Sequence, residues 1–301
     1  MGKKTLPDIE LMSPGHMGCL GCGACYAMRL MLKVAGPRTI LSVPACCWAV
    51  MPGTWPTTCI KVPMLYTAFE VTGASVSGIR AALDALGVKG IKDVNVIGWA
   101  GDGGTMDIGI QALSGMAERN NDCLYICYDN EAYMNTGIQR SSSTPVGAWT
   151  TTTPVGKTQA WEQTPKKPMV EIMAAHRMPY VAQASIGYPE DFMNKVKKAL
   201  SIKGAKYIQV LASCPTGWRS KPDEMIEIPK IAVSSRAYNL YEVENGVYHI
   251  THKPKKSSLE DYMRRQGRFS HLTSEFIQAL DKQLDADWEM LLKKEKYTNE
   301  K

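Results

Sequence analysis

Apolar residues change their spacing several times along the chain, and each change predicts a new element of secondary structure. Residues 74–86 and 108–119 carry apolar side chains at helical spacing, whereas residues 94–100 and 123–128 are short apolar runs. The first spacing predicts amphipathic helices, and the short runs predict buried strands. The alternation continues with further helices and strands, predicted at 170–175, 180–185, 190–200 and 207–212. This order predicts an α/β fold, a doubly wound parallel sheet with helices on both faces.

Three segments lie outside this alternation. The first 60 residues are rich in Cys, Gly and Pro, so we expect loops there rather than long regular elements. Residues 140–168 are dense in Ser, Thr, Gly and Pro, which predicts a long functional loop. Beyond residue 229 we expect an extension with a terminal helix over 274–294, which docks onto a neighbouring chain.

Composition narrows the class of protein. A chain of 301 residues with 45% hydrophobic content can bury a sizeable core. No run approaches the roughly 18 uncharged apolar residues of a membrane span, and the N-terminus has no apolar signal core. We therefore expect a cytoplasmic protein without membrane contact. In that reducing compartment, nine cysteines favour metal binding or redox chemistry over disulfides.

The formal net charge of +6 stands out mainly near the C-terminal end. The basic residues there are His252, Lys253, Lys255, Lys256, Arg264, Arg265 and Arg268. Such a group suits an acidic partner protein, because opposite fields steer encounter. It also suits an ordinary solvated face, so the charge alone does not choose a partner.

A glycine-rich turn, Gly-Asp-Gly-Gly at residues 101–104, follows one predicted strand, and Asn130 follows the next. Because consecutive strands of such a sheet end at one edge, Asp102 and Asn130 are expected to lie close together. Carboxylate and amide oxygens suit Mg²⁺, and Gly103 and Gly104 let the backbone approach phosphate groups. The interval from Asp102 to Asn130 resembles the thiamine diphosphate motif.

The cysteines suggest a metal centre. Cys19 and Cys22 form a C-x2-C pair, which alone could be half of a zinc site or a redox pair. Cys46 or Cys47, together with Cys214 at a strand end, would complete the four thiolates of a 4Fe-4S cluster. The sequence assigns no metal to the remaining cysteines. Cys123 and Cys127 are expected to be small apolar residues of the core, and Cys25 and Cys59 have no identified partner.

These segments together resemble the beta subunit of the pyruvate:ferredoxin oxidoreductases and their 2-oxoacid:ferredoxin oxidoreductase relatives, with the oxalate oxidoreductases as a candidate branch. The resemblance runs through nearly the whole chain, in the segments 15–23, 101–109, 128–139, 144–148, 153–157, 214–215 and 245–248. It implies thiamine diphosphate, Mg²⁺ and a 4Fe-4S cluster as cofactors.

The resemblance also implies a role for individual residues. The cluster ligands are Cys19, Cys22, Cys47 and Cys214. Cys47 is preferred over Cys46 because it keeps the family's interval after Cys22, and it is also assigned to the cofactor site. The cofactor residues are Gly101, Asp102, Gly103, Gly104, Asn130, Ala132 and Asn135, with Asp102, Asn130 and the Ala132 carbonyl on Mg²⁺. Asn135 matches a catalytic position close to the thiazolium ring and the substrate.

The activity implied is oxidative decarboxylation of a small 2-oxoacid, with electrons passed through the cluster to ferredoxin. Alpha and gamma subunits would complete the enzyme, with delta as a further candidate, and pyruvate would require coenzyme A. Two departures leave the substrate open between pyruvate and oxalate: Trp48 replaces an acidic residue, and residues 63–70 lack the family's His and Asn. The chain would divide into a Cys-rich cluster-binding segment (1–60), a diphosphate-binding domain (61–228) and a docking extension (229–301).

Two other functions remain as alternatives. A thiamine-dependent decarboxylase or synthase without a cluster would be colourless and free of iron. A binding module with a zinc site and a basic nucleic-acid surface would contain one zinc per chain, and its affinity for nucleic acid would fall steeply with salt. Under the main hypothesis the protein binds no nucleic acid.

Overall fold

The structure of the chain is a computed structural model that describes residues 6–87, 93–157 and 160–300. Within these residues, the strands form one eight-stranded sheet. They are β1 (Thr39–Pro44), β2 (Met64–Thr67), β3 (Asn95–Gly101), β4 (Cys123–Asp129), β5 (Tyr180–Ser185), β6 (Ala205–Leu211), β7 (Leu240–Glu244) and β8 (Val247–His252).

The strands lie in the order β2-β1-β3-β4-β6-β5-β7-β8. The first six strands in this order, from β2 to β5, run parallel to one another. β7 runs antiparallel to β5, and β8 runs antiparallel to β7. Because parallel strands end at a common edge, the residues that follow β1, β3, β4 and β6 meet at that edge. The predicted α/β class with a mostly parallel sheet is confirmed.

Helices cover both faces of the sheet, as predicted. They are α1 (Gly23–Ala35), α2 (Thr72–Leu86), α3 (Ile110–Arg119), α4 (Met169–Ala175), α5 (Pro189–Ser201), α6 (Pro215–Trp218), α7 (Glu227–Ser234), α8 (Leu259–Arg264) and α9 (Ser274–Asn299). Successive residues of a strand point to opposite faces of the sheet. Ile97 and Leu124 belong to the core between the sheet and the helices α1 and α5. Val96 and Tyr125 belong to the core on the other face, with α2 and α3. Strands buried on both faces are apolar throughout, which is why short apolar runs predicted them.

The expectation that the first 60 residues lack long regular elements is wrong. α1 spans 13 residues and packs against α5, and β1 lies inside the sheet between β2 and β3. Pro37 lies between α1 and β1, and Pro44 is the last residue of β1. The prolines therefore mark the ends of these elements, where the missing backbone N–H costs nothing.

The C-terminal extension continues the sheet. β7 and β8 add to its edge, and the predicted terminal helix forms as α9, which packs against β8. α7 crosses the predicted boundary between residues 228 and 229. The described parts of the predicted long loop, 140–157 and 160–168, contain neither helix nor strand. None of the helices described here has the length and apolar character needed to cross a membrane.

Candidate active site

A cavity of about 300 Å³ opens at the edge of the sheet where β1, β3 and β4 end. Its walls come from the segments that follow those strands, with Phe69 as an additional aromatic wall. The lining includes Cys46, Cys47, Gly101, Asp102, Gly103, Gly104, Asn130, Ala132 and Asn135. All the residues predicted from the sequence for the cofactor site therefore line one cavity.

Three polar groups converge on one side of this cavity: the Asp102 carboxylate, the Asn130 side-chain amide and the Ala132 carbonyl. The Asn130 amide N–H group donates to Asp102 Oδ1 at 2.9 Å and to the Ala132 carbonyl oxygen at 3.0 Å. Turning the amide over would bring its oxygen to the same position, at the same distances from the two oxygens. An octahedral Mg²⁺ with bonds of roughly 2.0–2.1 Å places neighbouring ligand oxygens about 3 Å apart. The donor set and its spacing fit Mg²⁺.

The charge of Asp102 also fits a bound cation. Asp102 is 1% exposed. Burial raises the pKa of its carboxyl group well above the ordinary value, and the nearby Asp129 raises it further. A charged carboxylate in such a place requires a positive partner. A cation between Asp102 and Asn130 would supply one.

Glycine is required at position 103 because an aromatic ring packs directly on its backbone. A Cβ atom there would lie 2.4 Å from Tyr133 Cε1. The Tyr133 ring packs in turn against Phe69, with ring centroids 5.7 Å apart. The turn that is expected to approach the phosphates is therefore covered by two aromatic rings.

Four consecutive residues with hydroxyl side chains, 141–144, hydrogen-bond to the acidic segments around the cavity. Their role was not predicted from the sequence. The Ser141 hydroxyl donates to Asp102, and the Ser142 hydroxyl donates to Asp107. The Ser143 hydroxyl donates to Asp129 at 2.7 Å, and the Thr144 hydroxyl donates to the Glu131 carbonyl at 2.8 Å. A run of Ser-Ser-Ser-Thr shortly after the Asp-Asn-Glu motif was the available signal.

Glu131 anchors the loop that carries Asn130 and Ala132. Its backbone has a positive φ of 71°, and its side chain is 2% exposed. The carboxylate forms ion pairs with Lys166 and with Arg268, which is itself 2% exposed. Burial alone would raise the pKa of Glu131, but the two cations lower it below its ordinary value.

The aromatic ring of Trp218 extends this anchor to the Asn130 backbone. The Trp218 indole N–H donates to the Asn130 carbonyl oxygen at 2.9 Å. The Arg268 guanidinium lies 4.4 Å from the centroid of the Trp218 ring, in a cation–π contact. Residues from the long loop, α6 and the C-terminal extension thus fix one short loop of the cavity.

The four predicted cluster cysteines lie near one another at the same edge of the sheet. Burial raises the pKa of the Cys47 thiol, and Cys46, Cys214, Cys22 and Cys19 raise it further. Burial raises the pKa of Cys214 to about 11, with contributions from Cys22 and Cys19. Because the Coulomb energy falls with distance, these contributions indicate that the thiols lie in one region of the protein.

A close backbone contact joins two of the cysteine segments. The Gly23 N–H donates to the Ser213 carbonyl at 2.9 Å, which sets Cys22, at the start of α1, beside Cys214, at the end of β6. A Cβ on Gly23 would lie 2.6 Å from the Ser213 nitrogen. The glycine after the C-x2-C pair is therefore required for this approach.

No three His, Cys, Asp or Glu side chains in residues 6–87, 93–157 and 160–300 converge tightly enough to hold a single metal ion.

The remaining predicted positions are also placed. Asn135 is exposed and lies at the wall of the cavity. Cys46 lines the same cavity, next to Cys47. Cys123 and Cys127 are buried in β4, as expected for core residues, and Cys25 and Cys59 are buried in the core on the α1 face.

Comparison with known proteins relates this site to a family. Residues 49–210 match the family described as thiamine pyrophosphate enzyme, C-terminal TPP binding domain. The chain is 53% identical over 294 residues to the ketoisovalerate oxidoreductase subunit VorB of Pyrococcus abyssi, an alignment that covers 96% of this chain and 94% of the relative. It is 53% identical over 290 residues to the pyruvate synthase subunit PorB of Methanocaldococcus jannaschii, covering 95% and 97%.

A solved structure supports the fold. The 2-oxoglutarate:ferredoxin oxidoreductase from Magnetococcus marinus matches with a TM-score of 0.58 and 22% identity, over 74% of this chain and 81% of that chain. At this identity the similarity concerns the fold alone.

Replacing Glu131 by Gln should destabilise the protein, because Lys166 and Arg268 would then be left without their carboxylate. Breaking a buried ion pair of this kind costs about 3–5 kcal/mol. The measurement is the free energy of unfolding from urea denaturation. Glu260→Gln is the matched control, because the Glu260–Arg264 pair is exposed and its loss should have no measurable effect.

The same pair predicts a pH dependence. The folded-state pKa of Glu131 is lowered, so its contribution is present above the ordinary pKa of a glutamate and is lost as the pH falls through the lower folded value. The Glu131→Gln variant should lack this loss. Equal stabilities of the native and variant proteins at pH 7 would contradict the assignment.

Proposed function

Because this chain belongs to the beta subunits of the 2-oxoacid:ferredoxin oxidoreductases and contains their thiamine pyrophosphate binding domain, we propose that it anchors thiamine diphosphate through Mg²⁺ and passes electrons through a 4Fe-4S cluster to ferredoxin. As a beta subunit it is one component of a multi-subunit enzyme. The observation that carries the proposal is the position of Cys47, which lines the cavity of Asp102 and Asn130 and also lies among the other cysteines.

The proposed cofactor contacts follow from the cavity. Asp102, Asn130 and the Ala132 carbonyl would hold Mg²⁺ once the Asn130 amide turns its oxygen toward the ion, because that position lies about 3 Å from the other two oxygens. Gly101, Gly103 and Gly104 line the wall beside them and leave room for phosphate oxygens. Once bound, thiamine diphosphate supplies the nucleophilic carbon and the electron sink for decarboxylation.

The chain's other residues would shape the reaction space. Asn135 is exposed at the cavity wall and would donate a hydrogen bond to the substrate. Phe69, Tyr128 and Met134 line the cavity and would exclude water from the reacting groups. The proposed cluster ligands are Cys19, Cys22, Cys47 and Cys214. Cys47 would place the cluster directly beside the cofactor cavity, so the electron path is short.

The proposed division of roles along the chain is as predicted from the sequence. Residues 1–60 would supply three of the four cluster cysteines, and residues 61–228 would form the cofactor cavity. Residues 229–301 would provide a surface for partner subunits. We propose alpha and gamma subunits as these partners, with delta as a further candidate. Arg268 gives the last segment a second role, because its side chain reaches Glu131 beside the cofactor loop.

The basic residues near the C-terminus favour the solvated-face interpretation over a docking patch for an acidic partner. Arg268 is buried, and Lys256 forms ion pairs with Asp281 and Asp285 at 2.9 and 2.6 Å. Lys253 and Arg264, which are exposed, and Arg265, which is half-buried, also form ion pairs within the chain.

We propose a 2-oxoacid with a small aliphatic side chain as substrate, pyruvate or ketoisovalerate. The two relatives carry these names, and apolar groups of Ala45, Ala49 and Met134 line the cavity. The experiment is an anaerobic assay of the complete complex with pyruvate, ketoisovalerate or oxalate, each with and without coenzyme A, followed by reduction of a viologen dye. Coenzyme A-dependent reduction by an aliphatic acid is expected, and reduction by oxalate alone would replace this proposal.

Replacing Asp102 by Asn should weaken binding of Mg²⁺ and thiamine diphosphate by at least about tenfold, because the carboxylate that faces the cation is lost. Equilibrium dialysis of the cofactor at varied Mg²⁺ concentration measures this. Asp84→Asn is the control, since the Asp84 carboxylate is 58% exposed on α2 and should not affect the cofactor. Native affinity in Asp102→Asn would argue against Asp102 as a ligand.

Replacing Cys47 or Cys214 by Ser should remove the cluster. The native protein, purified anaerobically, is expected to be brown with about four irons per chain. Both variants should lose most of this iron, whereas Cys59→Ala, at a buried cysteine outside the proposed ligand set, should retain it. Colourless native protein that binds thiamine diphosphate would instead support the cluster-free decarboxylase.

A further inference from the structure

Trp218, the last residue of the short helix α6, reaches a loop that lies 88 positions earlier in the chain. Its side chain is fully buried, and its indole N–H donates to the Asn130 carbonyl oxygen at 2.9 Å. Within the described residues, the equally buried indole N–H groups of Trp48 and Trp99 have no hydrogen-bond partner. Burial of a tryptophan in this protein therefore does not by itself supply a partner, and the Trp218 contact is a specific feature of the loop after β4.

The carbonyl that Trp218 holds belongs to a proposed ligand of Mg²⁺. Asn130 directly follows β4, and the next residue, Glu131, has a positive φ of 71°. Because the peptide group is planar, a hydrogen bond to its carbonyl oxygen fixes the orientation of the whole unit that joins Asn130 to Glu131. Trp218 thus limits where the Asn130 side chain and the Ala132 carbonyl can point.

A second contact of Trp218 holds the same loop. The Arg268 guanidinium lies 4.4 Å from the centroid of the Trp218 ring and forms an ion pair with Glu131. Trp218 therefore acts on the loop directly through its N–H group and indirectly through its ring. A phenylalanine at position 218 would keep an aromatic ring beneath Arg268 and would remove the N–H donor.

The Asp102 carboxylate is held in a similar way by Ser141. The Ser141 hydroxyl donates to Asp102 Oδ2, whereas Oδ1 lies 2.9 Å from the Asn130 amide group. Ser141 is itself fully buried, and its oxygen accepts a hydrogen bond from the Ser143 N–H at 3.2 Å. One oxygen of the carboxylate is thereby fixed, and the other is left on the side of the proposed cation.

We propose that Trp218 and Ser141 are positioning residues of the magnesium site. Trp218 acts through Asn130. Ser141 acts through Asp102. Each holds one ligand in the direction that the cation requires, and removal of groups of this kind lowers metal affinity roughly 10–100-fold. The inference rests on the proposed function, in which these ligands and the Ala132 carbonyl bind Mg²⁺ together with thiamine diphosphate.

The first test is Trp218→Phe in the anaerobically purified complex, with thiamine diphosphate binding measured by equilibrium dialysis at varied Mg²⁺ concentration. At limiting Mg²⁺ we expect the variant to bind the cofactor at least about tenfold more weakly than the native protein. Saturating Mg²⁺ should restore binding, because mass action compensates for a weakened metal site. General damage to the cavity would lower binding equally at every Mg²⁺ concentration. That result, or native binding throughout, would overturn the role of Trp218.

Trp288→Phe is the matched control. Trp288 is 4% exposed, and Arg236 lies 5.2 Å from the centroid of its ring, much as Arg268 lies over Trp218. It is part of α9 and does not line the cavity. The control variant also loses an indole N–H, yet it should keep the native Mg²⁺ dependence. Urea denaturation without Mg²⁺ or cofactor establishes that each variant is folded.

The second test is Ser141→Ala, which should show the same Mg²⁺-dependent loss. Ser42→Ala is its control, at an equally buried serine that hydrogen-bonds to Ser75 at 3.0 Å and does not line the cavity. Since Ser141 acts through Asp102, Ser141→Ala should have no further effect in a protein that already carries Asp102→Ala. Additive losses would reveal an effect independent of Asp102 and would reject the positioning role of Ser141.

The outcomes for the two proposals are distinguishable, because Asp102→Asn tests the metal site itself. If this variant loses cofactor affinity while Trp218→Phe and Ser141→Ala bind like the native protein, the proposed function stands and the positioning roles are wrong. If Asp102→Asn keeps native affinity, the magnesium site is wrong and both proposals are rejected.

Discussion

Three carboxylates, Asp102, Asp129 and Glu131, are buried at the edge of the sheet where β3 and β4 end, and much of the surrounding structure compensates their charge. Glu131 has Lys166 and Arg268. Asp129 accepts hydrogen bonds from the Ser143 hydroxyl and from the Gln209 amide at 2.7 Å. A buried charge without such partners is costly, so these contacts decide how the loop after β4 folds.

Of these three carboxylates, Asp102 has the fewest groups of the protein to offset its negative charge. It accepts a hydrogen bond from Ser141, and the neighbouring Asp129 adds negative charge instead of removing it. The Asn130 side-chain amide bridges the Asp102 carboxylate and the Ala132 carbonyl oxygen, to which its N–H group donates. Lys166 and Arg268 pair instead with Glu131, next to Asn130, which leaves Asp102 for a bound ion.

The same edge of the sheet brings together two kinds of metal chemistry. Hard oxygen donors follow β3 and β4, while sulfur donors follow β1, precede α1 and follow β6. Cys46 and Cys47 form the boundary, since they line the oxygen-rich cavity and lie among the sulfurs.

The sequence by itself determined the alternation of helices and strands, because a strand buried on both faces must be apolar and an amphipathic helix must repeat its apolar face. It also brought Asp102 and Asn130 together, because consecutive parallel strands end at one edge. Only the tertiary structure decided the ion pair between Glu131 and Arg268, which are 137 positions apart, and the clamp of residues 141–144 on the acidic loop. It alone also placed β7 and β8 on the sheet and brought the Trp218 indole to the Asn130 carbonyl. Charge pairing and hydrogen bonds over such distances depend on how the chain is folded, and no local pattern of residues records them.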